Sequence, residues 1–190
     1  MDHRYFVFLI PPLMLLDYFL TVAGAKLGEK TYRLHFKFPD YELNPIFRRH
    51  IAQKRKVSIL HLAMVLVMTA ACALWFINWP IDDSFLMDEM LLGAMITVFM
   101  TVTGGHLANL LTFRFLNRHP DAVSGEVMMS QLYILKLSRY RLLAVLLPIG
   151  ASAIFARLPF LYGASAGVVM LFLIHWLWAW REARKSRVKV

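Results

Sequence analysis

Five stretches of the 190-residue chain are apolar over enough residues to cross a bilayer, and polar or basic connections separate them. A spanning helix needs about 20 apolar residues. The pattern places spans at about 5–24, 57–79, 85–115, 140–156 and 160–180. The first is too long for a signal peptide and lacks a small-residue cleavage site, so it reads as a retained helix. Pro11 and Pro12 remove backbone donors, which predicts a kink near its start. Trp75, Trp79 and Pro80 close the second span, Pro148 breaks the fourth, and Arg157-Leu158-Pro159 predicts a tight turn into the fifth. Spans four and five also fit one broken hairpin.

The connections carry patterns of their own. In the basic loop 25–56, Tyr32, Leu34, Phe36 and Phe38 alternate with Thr31, Arg33, His35 and Lys37. This period of two predicts a short strand or an extended interfacial segment ended by Pro39. Asn44-Pro45 then supplies an N-cap and a first helical position, for a helix running through Arg48, Arg49, Lys54, Arg55 and Lys56 into span two. Val127, Met128, Leu132 and Leu135 recur at mixed helical spacing in a stretch too polar to span, which predicts an interfacial helix over 123–139. The expected fold is all-α: one polytopic membrane helix bundle, 1–190, with about five transmembrane helices plus an interfacial helix.

Composition agrees. Hydrophobic residues make up 59% and charged residues 17%, against about 45–50% and about 25% in soluble domains. Mean hydropathy is +0.55. A net charge of +9 suits phosphate. Yet the cations fall in clusters between apolar runs and no nucleic-acid recognition module is visible, so nucleic acid is not expected as a partner. Counting Lys and Arg loop by loop puts 19 of the 21 in one compartment and 2 in the other. That split predicts an outside N-terminus and a cytoplasmic C-terminus, as in a bacterial inner-membrane protein. Four or six spans would put a basic cluster on the wrong side. The single cysteine, Cys72, excludes an internal disulfide.

Candidate chemistry begins with Asp17, an ionisable group inside a span, where its charge costs several kcal/mol unless paired or hydrated. Thr21 lies one turn on and can donate to its carboxylate. Glu42 and Asn44 follow in Tyr41-Glu42-Leu43-Asn44-Pro45. Asp17, Thr21, Glu42 and Asn44 together form a binding site suited to a proton or a hard cation. The bland reading is a packing lock and a helix cap. The arrangement Asp17-x3-Thr21-x2-Gly24 followed by Glu42-x-Asn44-Pro45 resembles the pattern of the DUF5658-like family of uncharacterised small prokaryotic membrane proteins. The resemblance covers the first 50 residues or so, implies a shared polar core of Asp17, Thr21, Glu42, Asn44 and Pro45, and brings no activity with it.

Span three carries a second stripe, Thr97, Thr101, Gly105, Asn109 and Thr112, with His106 beside it. A polar stripe must face protein or water rather than lipid. His106 and Asn109 are therefore binding candidates, against the alternative of plain helix packing. Gly150-Ala151-Ser152 resembles the serine motif of rhomboid intramembrane proteases, with His175 as a base, but Ala153 stands where those enzymes have glycine. Gly163 and Gly167 read instead as close helix packing. His61, Met64, Met68 and Cys72 share a helical face that would suit Cu(I), although methionines more often fill apolar gaps. No cofactor is expected, and the metal question stays open. Expected partners are anionic lipid headgroups at the basic loops, each cation contributing about 1 kcal/mol, and a second copy or another membrane protein on spans three and five. The function favoured is a non-enzymatic transporter-like, channel-like or accessory subunit, with a serine-hydrolase-like or metal-assisted intramembrane enzyme as the alternative.

Overall fold

The computed structural model describes residues 8–53, 57–78 and 85–187. The chain forms α1 (Ile10–Gly28), α2 (Tyr32–His35), β1 (Phe36–Lys37), α3 (Arg48–Ala52), α4 (Ile59–Asn78), α5 (Phe85–Arg118), β2 (Val127–Met128), α6 (Gln131–Ala156) and α7 (Pro159–Arg187). It is a helical bundle. Helices α1, α5, α6 and α7 are each long and apolar enough to cross a membrane, and α4 holds a shorter described apolar stretch, Ile59–Trp75. Large apolar side chains such as Leu66, Leu147 and Phe155 point outward. An apolar exterior of this extent suits lipid rather than water.

Helix direction follows from named contacts. Gly163 meets Met90 and Gly167 meets Ala94, four residues on in both helices, so α5 and α7 are parallel. Asn117 of α5 donates to the Leu27 carbonyl at 3.2 Å, bringing the C-terminal ends of α1 and α5 together. Cys72 contacts Met95, whereas Trp75 donates to Asp88 at 3.0 Å, so α4 runs against α5. Ser138 meets His175 across the antiparallel α6–α7 hairpin. Thus α1, α5 and α7 point one way and α4 and α6 the other. α5 lies centrally, packed on α1 and on α7, while α6 reaches the bundle through α7. One buried cluster, Ile10, Met14, Val65, Cys72 and Leu92, joins α1, α4 and α5.

Several boundaries differ from the sequence pattern. Pro11 and Pro12 occupy the first turn of α1, where the missing donors have no intrahelical partner anyway, so they start the helix instead of kinking it. No separate helix covers 123–139. Residues 127–128 form β2, Ser130 caps the next helix by accepting from the Tyr133 N–H, and α6 continues unbroken through Pro148 to Ala156. The alternation in loop one is real only over β1, which pairs in parallel with β2, Phe36 opposite Val127. Before it, 32–35 closes a helical turn that stacks Tyr32 on Phe36.

Asn44 closes a local turn, accepting from the Ile46 N–H at 3.0 Å, but it does not cap the helix: α3 starts only at Arg48, behind Phe47, and ends at Ala52, and α4 starts afresh behind Ser58. The proposed continuation through Lys54, Arg55 and Lys56, like Trp79 and Pro80 at the end of span two and the first residues of span one, lies outside the described residues. The turn at Arg157 is as expected. Arg157 adopts a left-handed conformation, φ 53°, and its N–H caps the Ala153 carbonyl, leaving Pro159 to open α7.

Candidate functional site

The α1–α5 contact brings together residues from both candidate groups. Asp17 stands near the middle of α1 and His106 near the middle of α5, and their Oδ1 and Nε2 atoms are 3.4 Å apart. Both side chains are mostly buried. This separation is at the outer edge of pairing, and neither Asp17 Oδ1 nor His106 Nδ1 has a hydrogen-bond partner. Buried polar atoms are nearly always satisfied in native interiors, so two unpartnered atoms in one contact between apolar helices set this pair apart from ordinary packing.

Tyr41 closes this contact towards the basic end of the bundle. Its hydroxyl rests on Gly24 of α1, where a Cβ would overlap it. Its ring stands 6.5 Å from the His106 ring and 5.9 Å from that of Phe113. Asn109, one turn from His106, faces the Tyr41 hydroxyl, which is buried without a well-formed hydrogen bond. Burial drives the Tyr41 phenol well above its ordinary range, with the nearby Glu42 and Asp17 charges acting in the same direction.

Glu42 is the neighbouring titratable group. Burial pushes its carboxyl up to about 7, and the Asp17 charge adds to that effect. The Asn44 N–H, donating to Glu42 Oε1 at 2.7 Å, and the Arg48 guanidinium both oppose it. Glu42 and Asn44 thus act locally, folding the Tyr41-to-Pro45 turn over the end of α1. The two carboxylates, the imidazole and the phenol line up from mid-span to the loop.

Thr21 takes a different role from the one expected. Its hydroxyl donates to the Asp17 backbone carbonyl at 2.8 Å, not to the carboxylate, because that carbonyl lies one helical turn back in easy reach. Of the six binding candidates, Asp17, His106, Asn109 and Glu42 share one electrostatic neighbourhood, Asn44 shapes it, and Thr21 stands within the helix wall. Tyr41 was the residue missed. Its only sequence signal was its place beside Glu42 in a loop of otherwise interfacial aromatics.

The polar stripe on α5 divides. Thr112 returns its hydrogen bond to Ala108 of its own helix, and Gly105 meets open space. The other tempting sets also come apart. His175 Nδ1 lies 2.9 Å from Ser138 and its ring stacks on Trp178. Ser152 lies fourteen residues further along α6, roughly 21 Å of helix away, so Ser152 and His175 do not pair. On α4, His61 Nε2 is taken by the Met14 carbonyl at 3.0 Å and its ring stacks on Tyr18. Cys72 faces Met95, while Met64 and Met68 are exposed. The proposed copper face therefore does not converge. Among the described residues, no three His, Cys, Asp or Glu side chains gather as a metal site would need.

Comparison of the chain with protein-family models, with curated proteins and with solved structures finds no match. Function must therefore be argued from the site.

Proposed function

We propose that this chain is a small, non-enzymatic integral membrane protein that accepts and releases a proton or small cation at Asp17 and His106, acting as a transporter-like, channel-like or accessory subunit. The supporting observation is the Asp17–His106 approach at 3.4 Å between two apolar helices, with an unpartnered atom on each side. A carboxylate and an imidazole so placed can hold a proton between them or, with the Asn109 amide, offer oxygen and nitrogen donors to an ion. Tyr41 stands between this pair and the loop and would control exchange with the basic side.

The alternating directions of α1, α4, α5, α6 and α7 favour five crossings, with 19 of 21 Lys and Arg facing the cytoplasm of a bacterial inner membrane. The DUF5658-like pattern is consistent with that setting, since Gly24 and Glu42, both part of it, meet through Tyr41.

Reconstitution in vesicles loaded with a pH-sensitive dye tests this reading. An imposed pH gradient should collapse faster with the wild-type chain than in empty vesicles, and Asp17→Asn or His106→Gln should slow the collapse at least about tenfold, the loss expected from one essential proton-handling group. Thr112→Ala, whose bond is internal to α5, should behave as wild type. Equal rates for wild type and Asp17→Asn would refute carriage of a proton. An enzymatic reading would rest on the same Asp–His geometry, and its serine-hydrolase version loses support because His175 is taken by Ser138 and not by Ser152.

A further inference from the structure

Beyond the Asp17–His106 pair, a cavity of about 140 Å³ opens at the C-terminal end of α1. Arg33, Phe38, Asp40, Tyr41, Glu42 and Arg48 supply its chemistry, and Ala25, Gly28, Ile51 and Ala52 its apolar wall. The volume is several times the roughly 30 Å³ of a water molecule, enough for a small polar headgroup with the neck that follows it. Two features of the wall ask for an anion. Arg33 lies over the Phe38 ring at 4.9 Å and has no carboxylate partner among the described residues. Arg48 engages Asp40 at 3.3 Å through Nη1, yet its Nε is buried without a partner. A guanidinium with a spare, desolvated N–H is a donor waiting for an oxygen, and the guanidinium fork matches phosphate geometry.

The opposing charges decide which anion. Asp40, held by Arg48, and Glu29 and Glu42 also line the cavity, so three carboxyls face two guanidiniums. They disfavour a dianion and leave room for a single negative charge when Glu42, whose carboxyl burial raises to about 7, takes up its proton. A phosphodiester carries one charge, whereas a free phosphate monoester carries nearly two near neutral pH. The place also suits a lipid, because the cavity lies where α1 ends and the basic loop begins, with an apolar wall continuous with the helix.

We propose that this cavity is a specific site for the phosphodiester headgroup of a membrane phospholipid, held between Arg33 and Arg48. This differs from the diffuse attraction that any basic loop has for an anionic leaflet, because it demands two particular side chains and one lipid per chain. It does not rest on proton handling at Asp17, although Tyr41 and Glu42 border both places.

The test is native mass spectrometry of the full chain in detergent, titrated with dioleoyl phosphatidylglycerol and, in parallel, with glycerol 3-phosphate. The wild type should retain one lipid. Arg33→Gln and Arg48→Gln should each weaken that binding at least about tenfold, as loss of a charge-assisted contact does, while Arg184→Gln in the basic tail leaves it unchanged. Because Arg48→Gln also breaks the Asp40 pair, Arg33→Gln carries the test if the former fails to fold. Glycerol 3-phosphate binding as tightly as the lipid would overturn the lipid assignment in favour of a soluble ester. Equal retention by wild type, Arg33→Gln and Arg184→Gln overturns the site altogether.

Discussion

The two faces of α5 are built on opposite principles. Towards α7 it packs backbone against backbone: Gly93 lies on the Phe160 carbonyl, Gly163 on Met90 and Gly167 on Ala94, so closely that a Cβ on any of the three glycines would overlap a main-chain atom. Towards α1 it presents His106 and Asn109 to Asp17 and Tyr41, and leaves buried polar atoms without partners. In lipid the hydrophobic effect cannot drive helices together, so close van der Waals approach through small residues must do so. The first face supplies that adhesion. The second gives some of it up to polar contacts that are incompletely satisfied.

The sharpest way to break this contrast is to exchange the two kinds of damage. Gly163→Val drives a branched side chain into the Met90 backbone, which cannot yield as a flexible side chain would. It should destabilise the bundle by about 3 kcal/mol or more, the upper range for overpacking. Asp17→Asn removes a poorly satisfied intramembrane acid, so it should leave stability within about 0.5 kcal/mol or raise it. Denaturant unfolding in mixed micelles, followed by tryptophan fluorescence, measures both. A large loss with Asp17→Asn would make the polar face a structural lock.

A smaller effect should come from Glu42, which connects the polar face to the loop. Its carboxyl has a folded pKa of about 7 against an ordinary value of 4.5, so the folded state binds the proton more tightly than the unfolded chain. Stability from this group is therefore complete below about pH 4.5 and falls as pH rises through 7. The groups around it are Asp17, Glu29, Asp40, Tyr41, Arg33 and Arg48, and the three carboxyls share its sign. Glu42→Gln keeps an oxygen for the Asn44 N–H and should flatten the decline in unfolding midpoint between those pH values. An unchanged pH profile would show that the carboxyl is well hydrated and has no part in the α1–α5 cover.

The smallest effect belongs to the hairpin end, just beyond the α5–α7 contact at Phe160. Arg157 holds φ 53° without the freedom of glycine. Arg157→Gly should stabilise by at most about 1 kcal/mol, the cost of a left-handed non-glycine residue less the added freedom of the unfolded chain. Measured in the same unfolding assay, a loss instead of a gain would mean that the arginine side chain anchors the turn.

Much of the architecture could be read from the chain because hydrophobicity and helix-breaking residues act locally. The apolar runs mark the helices, Arg157-Leu158-Pro159 marks the turn between α6 and α7, and Gly163 and Gly167 announce a close approach four residues apart. Where local signals competed, reading failed. Val127 and Met128 have a pattern equally fit for a helix face, and only the presence of Phe36-Lys37 alongside makes them a strand. Thr21 was placed on the right face but given the wrong acceptor, because the backbone carbonyl four residues back competes with every side-chain partner.

The sequence by itself determined that this is a membrane helical protein with an acid buried in its first helix and a basic loop after it, since length, apolarity and charge are properties of each segment alone. It also named Asp17 and His106 as separate candidates. Only the tertiary structure decided that they stand 3.4 Å apart, that Tyr41 covers them over Gly24, and that His175 turns to Ser138 rather than Ser152. Those relations cross 89 residues in the first case and 37 in the last. They depend on which helix faces which, and helix periodicity specifies a face without saying what will meet it.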